Sequence, residues 1–301
     1  MHTTTRTHDG LTLHVDVDGP ADAAVTVVLA HCWVMTREAW NYQLRDLRRH
    51  FGGSVRVIAY DHRGHGRSTR SRYRDATLMN LARDLNAVIA EHAPTGDLVL
   101  AGHSIGGMTV MTFAREFPQV IEQRVKAVAL VNTSAGDLDT VTLGLPEAGT
   151  LVRAQIPRVL ALRSKMYTVS ARMRTPTIES FVVRQFVFGR PMRLRDHAHT
   201  VEGVINSPPA TMRGFYDSMM EHDVYDALPV LSGRPVRVLV GEDDKLTPLE
   251  HARRIADGID GAILTVAAGA GHMLPLEREE LVTGVLCDLV EGVLARQPAA
   301  S

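Results

Sequence analysis

Gly102-His103-Ser104-Ile105-Gly106 constrains this chain more than any other stretch. Leu98-Val99-Leu100-Ala101 runs into it as a short buried strand, and Ile105 to Phe117 follows as a helix that Pro118 is expected to stop. A serine at so sharp a strand-to-helix turn is strained, and its hydroxyl projects above the sheet. Glycines on either side remove the Cβ atoms that would collide as strand and helix converge. The backbone N–H of Ile105 then lies at a helix N-terminus, where a developing negative charge is favoured. A Gly-x-Ser-x-Gly string is common in ordinary loops; the strand before it and the apolar helix after it set this one apart.

The rest of the chain supplies matching units. Thr3 to Val17 alternates polar and apolar residues around Asp9-Gly10, which predicts a hairpin. Val25–Ala30 reads as a buried strand, and Val55–Tyr60, Ala127–Val131, Val236–Val240 and Ile263–Val266 as further strands. Helical patterns lie between them: Trp40 to Phe51, Leu78 to Ile89, Leu249 to Asp257, and a final helix through Leu281 and Leu294. Such alternation predicts an α/β fold with a doubly wound, mostly parallel sheet. It lapses between residues 136 and 228, where Pro146, Pro157, Pro176, Pro191 and Pro208-Pro209 punctuate short helical patterns. The expected organisation is a core of residues 1–135 and 229–301, with 136–228 inserted as a helical cap.

Two further loops follow predicted strands, the place where α/β folds put chemistry. Gly241-Glu242-Asp243-Asp244 carries carboxylates, one of which would orient a histidine and stabilise its cation. Gly269-Ala270-Gly271-His272 offers that histidine, His272, as a general base toward Ser104. Either loop alone is weak evidence. Serine, acid and histidine in this order, each after its own strand, is a far rarer coincidence.

With these residues in view, the chain resembles the α/β-hydrolase superfamily in its serine-nucleophile, capped, esterase- and lipase-like form. His31-Cys32-Trp33 is similar to the family's His-Gly motif, and Asp61-His62-Arg63-Gly64-His65-Gly66-Arg67-Ser68 to its loop after the next strand. The resemblance implies that Asp244, rather than Asp243, is the orienting acid, and that the N–H groups of Trp33 and Ile105 form an oxyanion hole. It also implies attack on an ester, thioester or lactone carbonyl, because relatives that open epoxides or remove halide carry Asp at the elbow. Cys32 departs from the pattern, since the family has Gly there and only Gly adopts positive φ freely. Either the loop needs no such conformation or the hole is altered. Acyltransferases, cofactor-free haloperoxidases, C–C hydrolases and lyases share the same motifs, and a ligand receptor with residual turnover could keep them too.

Bulk properties exclude several other classes. The 301 residues carry a net charge of −1, so nothing global points to nucleic acid. No apolar run approaches membrane-span length and the N-terminus lacks an apolar leader. Cys32 and Cys287 have no metal or redox spacing, which predicts free thiols and a cytoplasmic location. No cofactor or metal is expected; His62 and His65 fit a turn, and His197 and His199 are expected to be solvated. His103 is expected to hold the elbow or line the pocket. Met166, Tyr167, Met173, Phe181, Phe186, Phe215 and Met219 are expected to be core, a few of them roofing a pocket for an apolar acyl substrate. From Leu151 to Thr200 ten basic residues face only Glu179 and Asp196. That excess is either a solvated helical face or a docking surface for an anionic partner: an acidic carrier protein, a lipid surface or a carboxylated substrate.

Overall fold

The structure is a computed structural model that describes residues 1–143, 149–166 and 169–297. Among these residues eight strands form one sheet in the order β1-β2-β4-β3-β5-β6-β7-β8. β1 (His2–Arg6) and β2 (Thr12–Asp18) make the hairpin expected around Asp9-Gly10, and β2 joins the sheet antiparallel to β4. The other strands run parallel: β3 (Val25–Ala30), β4 (Arg56–Tyr60), β5 (Asp97–His103), β6 (Val125–Val131), β7 (Val236–Gly241) and β8 (Ile263–Ala267). β3 and β4 are buried at every residue, which is why they read as unbroken apolar runs.

Helices cover both faces. α1 (Asn41–Phe51) lies after β3, α2 (Leu78–His92) after β4, and α3 (Ile105–Glu116) after β5. Pro118 does not simply end α3: it opens a further short helix, α4 (Pro118–Arg124), where a missing N–H costs nothing. Between β6 and β7 stand α5 (Gly149–Met166), α6 (Val169–Arg174), α7 (Thr177–Phe186), α8 (Leu194–Asn206) and α9 (Pro209–Met220). α10 (Leu249–Asp257), α11 (Leu274–Glu277) and α12 (Glu279–Leu294) complete the chain. Side chains alternate across the strands, so Val28, Ile58 and Leu100 pack with Leu85, Val110 and Ile255 on one face. Leu29, Val57 and Val99 pack with Leu47, Leu286 and Val290 on the other. Among the described residues no helix is long and apolar enough to cross a membrane. Pro146 and Tyr167 lie outside the described residues.

The parallel strands all point the same way. Their carboxyl ends therefore deliver Trp33, Asp61, Ser104, Asn132, Asp244 and His272 to one edge of the sheet.

Candidate active site

Ser104 sits between β5 and α3 with φ 56° and ψ −120°, a strained conformation for a residue with a side chain. Close packing enforces it. A Cβ on Gly102 would lie 2.3 Å from Gly106 O, and one on Gly106 would lie 2.1 Å from Ala30 O. The turn is tied down by Ser104 N–H donating to Val131 O at 2.9 Å and by Thr133 Oγ1 donating to Ser104 O at 2.7 Å.

His272 Nδ1–H donates to Asp244, 2.9 Å from Oδ2 and 3.1 Å from Oδ1. Asp243 makes no such contact; its backbone N–H donates to Ala270 O. Asp244 is buried and fully engaged. Its Oδ1 accepts the N–H groups of Leu246 and Thr247, and its Oδ2 accepts Thr247 Oγ1 at 2.8 Å and Asn132 Nδ2 at 2.5 Å. Burial alone would raise its pKa, but the His272 imidazole and these donors outweigh burial and hold it below the ordinary carboxylate value.

Ser104 and His272 border the same cavity of 150 Å³. No hydrogen bond joins the two side chains among the described residues. The walls are apolar, with Cys32, Met108, Val183, Phe186, Val204 and Met219 prominent. Among the described lining residues no Asp, Glu, Lys or Arg appears. Trp33 also lines this space, and Ile105 is the buried first residue of α3.

Cys32 does not take the positive φ that its family position suggests. That conformation falls two residues later, on Val34 at φ 57°. A β-branched residue is held there because Val34 N–H donates to His65 Nε2 at 3.2 Å. His65 in turn donates Nδ1–H to Arg63 O at 3.1 Å. His62 N–H donates to His31 Nε2, and His62 Nε2–H to His31 O, both at 2.9 Å. The loops after β3 and β4 are thus latched by imidazoles. Burial pushes the pKa of His65 down to about 4 and holds His31 and His62 well below the usual range. All three are neutral at physiological pH, as their hydrogen bonds require. Burial likewise pushes the Cys32 thiol up to about 12.

His103 does not border the cavity. Its Nε2–H donates to His272 O at 2.7 Å, so it holds the histidine loop, and burial takes its pKa down to about 3. Two more groups position the loops, Asn132 outside any local motif and Glu277 within the histidine loop. Asn132, at φ 43°, bridges Asp244 Oδ2 and Gly271 O. The Glu277 carboxylate accepts N–H groups from Gly189, Gly271 and Met273 at 2.8–3.0 Å. Along the same seam His272 N–H donates to Val187 O at 2.7 Å, so the segment after α7 is stitched to the histidine loop. The expectation that His197 and His199 are solvated is corrected: both are half-buried, and His197 Nε2–H donates to Ser180 O at 3.2 Å. Among the described residues one group could hold a metal ion, His2, His14 and Asp16 on the hairpin, with Asp16 already ion-paired to Arg37.

Residues 25–279 match the family model described as "alpha/beta hydrolase fold". A putative carbamate hydrolase, RutD, of Caulobacter sp. is 26% identical, over 96% of this chain and 98% of its own. A thermophilic esterase from Thermogutta terrifontis superposes with a TM-score of 0.74 at 24% identity, covering 97% of this chain and 99% of that one. The enol-lactonase from Burkholderia xenovorans LB400 gives 0.75 at 21% identity, covering 96% and 100%. At such identities the two structural likenesses speak for the fold. The family match spans the parallel strands β3 to β8, Ser104, Asp244 and His272 alike, and by it the chain belongs to the alpha/beta hydrolase fold family.

Proposed function

We propose that this protein is a serine hydrolase that cleaves neutral carboxylic esters, thioesters or lactones through an acyl-enzyme on Ser104. The observation that carries the reading is the His272–Asp244 hydrogen bond at 2.9 Å, with His272 and Ser104 on one apolar cavity. Ser104 Oγ attacks the carbonyl carbon while its proton passes to His272 Nε2. Asp244 keeps Nδ1 protonated and stabilises the imidazolium. The oxyanion is met by the N–H groups of Ile105 and Trp33, each such donor contributing about 3 kcal/mol. His272 then protonates the departing alcohol or thiol. Water, deprotonated by His272, attacks the acyl group and releases the carboxylic acid and free Ser104.

An uncharged cavity favours an uncharged acyl group, since a buried carboxylate without a partner is heavily penalised. In this reading residues 136–228 cap a core of 1–135 and 229–301; Val183, Phe186, Val204 and Met219 supply part of the roof. The names borne by the relatives place carbamates and lactones alongside simple esters in the substrate panel. Two buried free thiols fit a reducing, cytoplasmic setting. The decisive experiment is Ser104→Ala assayed on p-nitrophenyl esters of graded acyl length. Turnover is expected to fall by several decades with the fold intact by circular dichroism. Retained turnover would remove Ser104 from the chemistry. Product analysis with an added acceptor alcohol separates hydrolysis from acyl transfer.

A further inference from the structure

We propose that α5 and α7 form a basic, apolar face by which the protein docks on an anionic lipid bilayer. In α5 the residues Leu151, Gln155, Val159, Leu162 and Met166 follow one another at three- and four-residue spacing, so they share one helix face. Leu151, Leu162 and Met166 on that stripe are 68%, 59% and 63% exposed. The stripe extends over about 22 Å at 1.5 Å per residue. Beside it on α7 stands Phe181, 64% exposed, and the two helices enclose an apolar groove of 390 Å³. Val182 and Phe186 border both this groove and the cavity that holds Ser104.

Charge selects the occupant. The two helices carry Arg153, Arg158, Arg163, Lys165 and Arg184 in their sequences, against Glu179 alone, which is fully buried. Arg158 and Arg184 are exposed, and neither is ion-paired with a carboxylate among the described residues. Arg184 lies one turn from Phe181, and Arg158 one turn from Leu162, so cations flank the apolar stripe. A second copy of the chain would bring like charges face to face. An acidic carrier protein would match the cations but leave an apolar stripe of this length uncovered. A bilayer with anionic headgroups answers both features: phosphates for the arginines, acyl chains for Leu151, Leu162, Met166 and Phe181. Docking is independent of the chemistry; that the membrane delivers an apolar acyl substrate to Ser104 rests on the proposed hydrolysis.

The test is co-sedimentation of the full chain with vesicles of phosphatidylcholine, alone or mixed with phosphatidylglycerol. Binding is expected only to the mixed vesicles, and to weaken as salt rises. Replacing Arg158 and Arg184 together by Gln is expected to lower partitioning on the order of 25-fold, about fivefold per cation. Phe181→Ser is expected to lower it on the order of tenfold or more, from the apolar area withdrawn from lipid. Turnover of a water-soluble short ester by these variants is expected to match the parent, which reports an intact fold. Equal binding to both vesicle types, no binding to either, or variants that bind like the parent would overturn the proposal. So would a dimer in sedimentation velocity that Phe181→Ser breaks, or capture of an acidic acyl-carrier protein, without vesicle binding. Vesicle binding that persists while Ser104→Ala keeps full turnover would leave the docking in place and remove only the hydrolase reading.

Discussion

Exchanging Asn132 for aspartate replaces one NH2 group by an oxygen and tests whether the acid loop is built around an ionised Asp244. Aspartate keeps the shape of the side chain and tolerates the positive φ of 43° at this position. The donor removed lies 2.5 Å from Asp244 Oδ2 in a buried site. Two carboxylates at that distance repel by about 7 kcal/mol at an effective dielectric of about 20. Keeping one of them protonated at pH 7 instead costs about 4 kcal/mol from an ordinary pKa near 3.9. The cheaper course is for the pair to retain one proton in the fold and release it on unfolding. A folded pKa raised above the unfolded value gives stability that is full below the unfolded pKa and lost as pH rises toward the folded one. Relative to the parent, Asn132→Asp is therefore expected to lose about 4 kcal/mol more stability at pH 8 than at pH 5, at about 1.4 kcal/mol per unit. Asn132→Ala, which removes both amide hydrogen bonds without adding a titrating group, is expected to lose about the same amount at both pH values. Urea unfolding of the three proteins at the two pH values measures this directly. An equal penalty for Asn132→Asp at pH 5 and pH 8, or a larger one at pH 5, would refute the view that Asp244 is held as an anion against Asn132.

Two other outcomes follow from the loops around Ser104. His65 and His103, neutral in the fold with pKa values of about 4 and about 3, take up protons on unfolding, so stability is lost as pH falls below about 6.5 toward those values. Each is expected to remove about 2 kcal/mol between pH 6.5 and pH 5; His65→Phe and His103→Phe are expected to flatten that acid limb in unfolding titrations, and an unchanged limb would show the two imidazoles already protonated. Cys32, buried with its thiol pushed up to about 12, is expected to resist iodoacetamide at pH 8 in the folded protein and to react on unfolding, as read by intact mass. Rapid alkylation of folded protein would mean that the loop after β3 opens far more freely than its histidine latch allows.

What could be read in the sequence, and what could not, divides along a physical line. Val25–Ala30 and Val57–Tyr60 announce themselves because a parallel strand covered on both faces needs apolar residues at every position. Ser104 and Asp244 are legible for a related reason, since each follows such a strand; His272 follows β8, a partly exposed edge strand, and is carried to the same edge because β8 runs parallel to β7. Their supports are another matter. Asn132 looks like an ordinary polar residue in sequence, because its partner Asp244 is 112 positions away; nor could sequence show that His103 bonds His272 O, 169 positions on, or that Glu277 reaches Gly189, 88 positions back. Cys32 misdirects for the opposite reason. The family pattern makes residue 32 the place where backbone freedom is needed, yet the imidazole of His65 draws the turn onward and sets positive φ on Val34. The strained residues Val34 and Ser104 border one cavity, and the strain persists only because loops from different strands over-determine it. The proposed reacting groups are therefore a local property of their strands, while their precision is a property of contacts between loops. Substitutions at Asn132, His65 or Glu277 should accordingly impair turnover even though none of these side chains needs to touch a substrate.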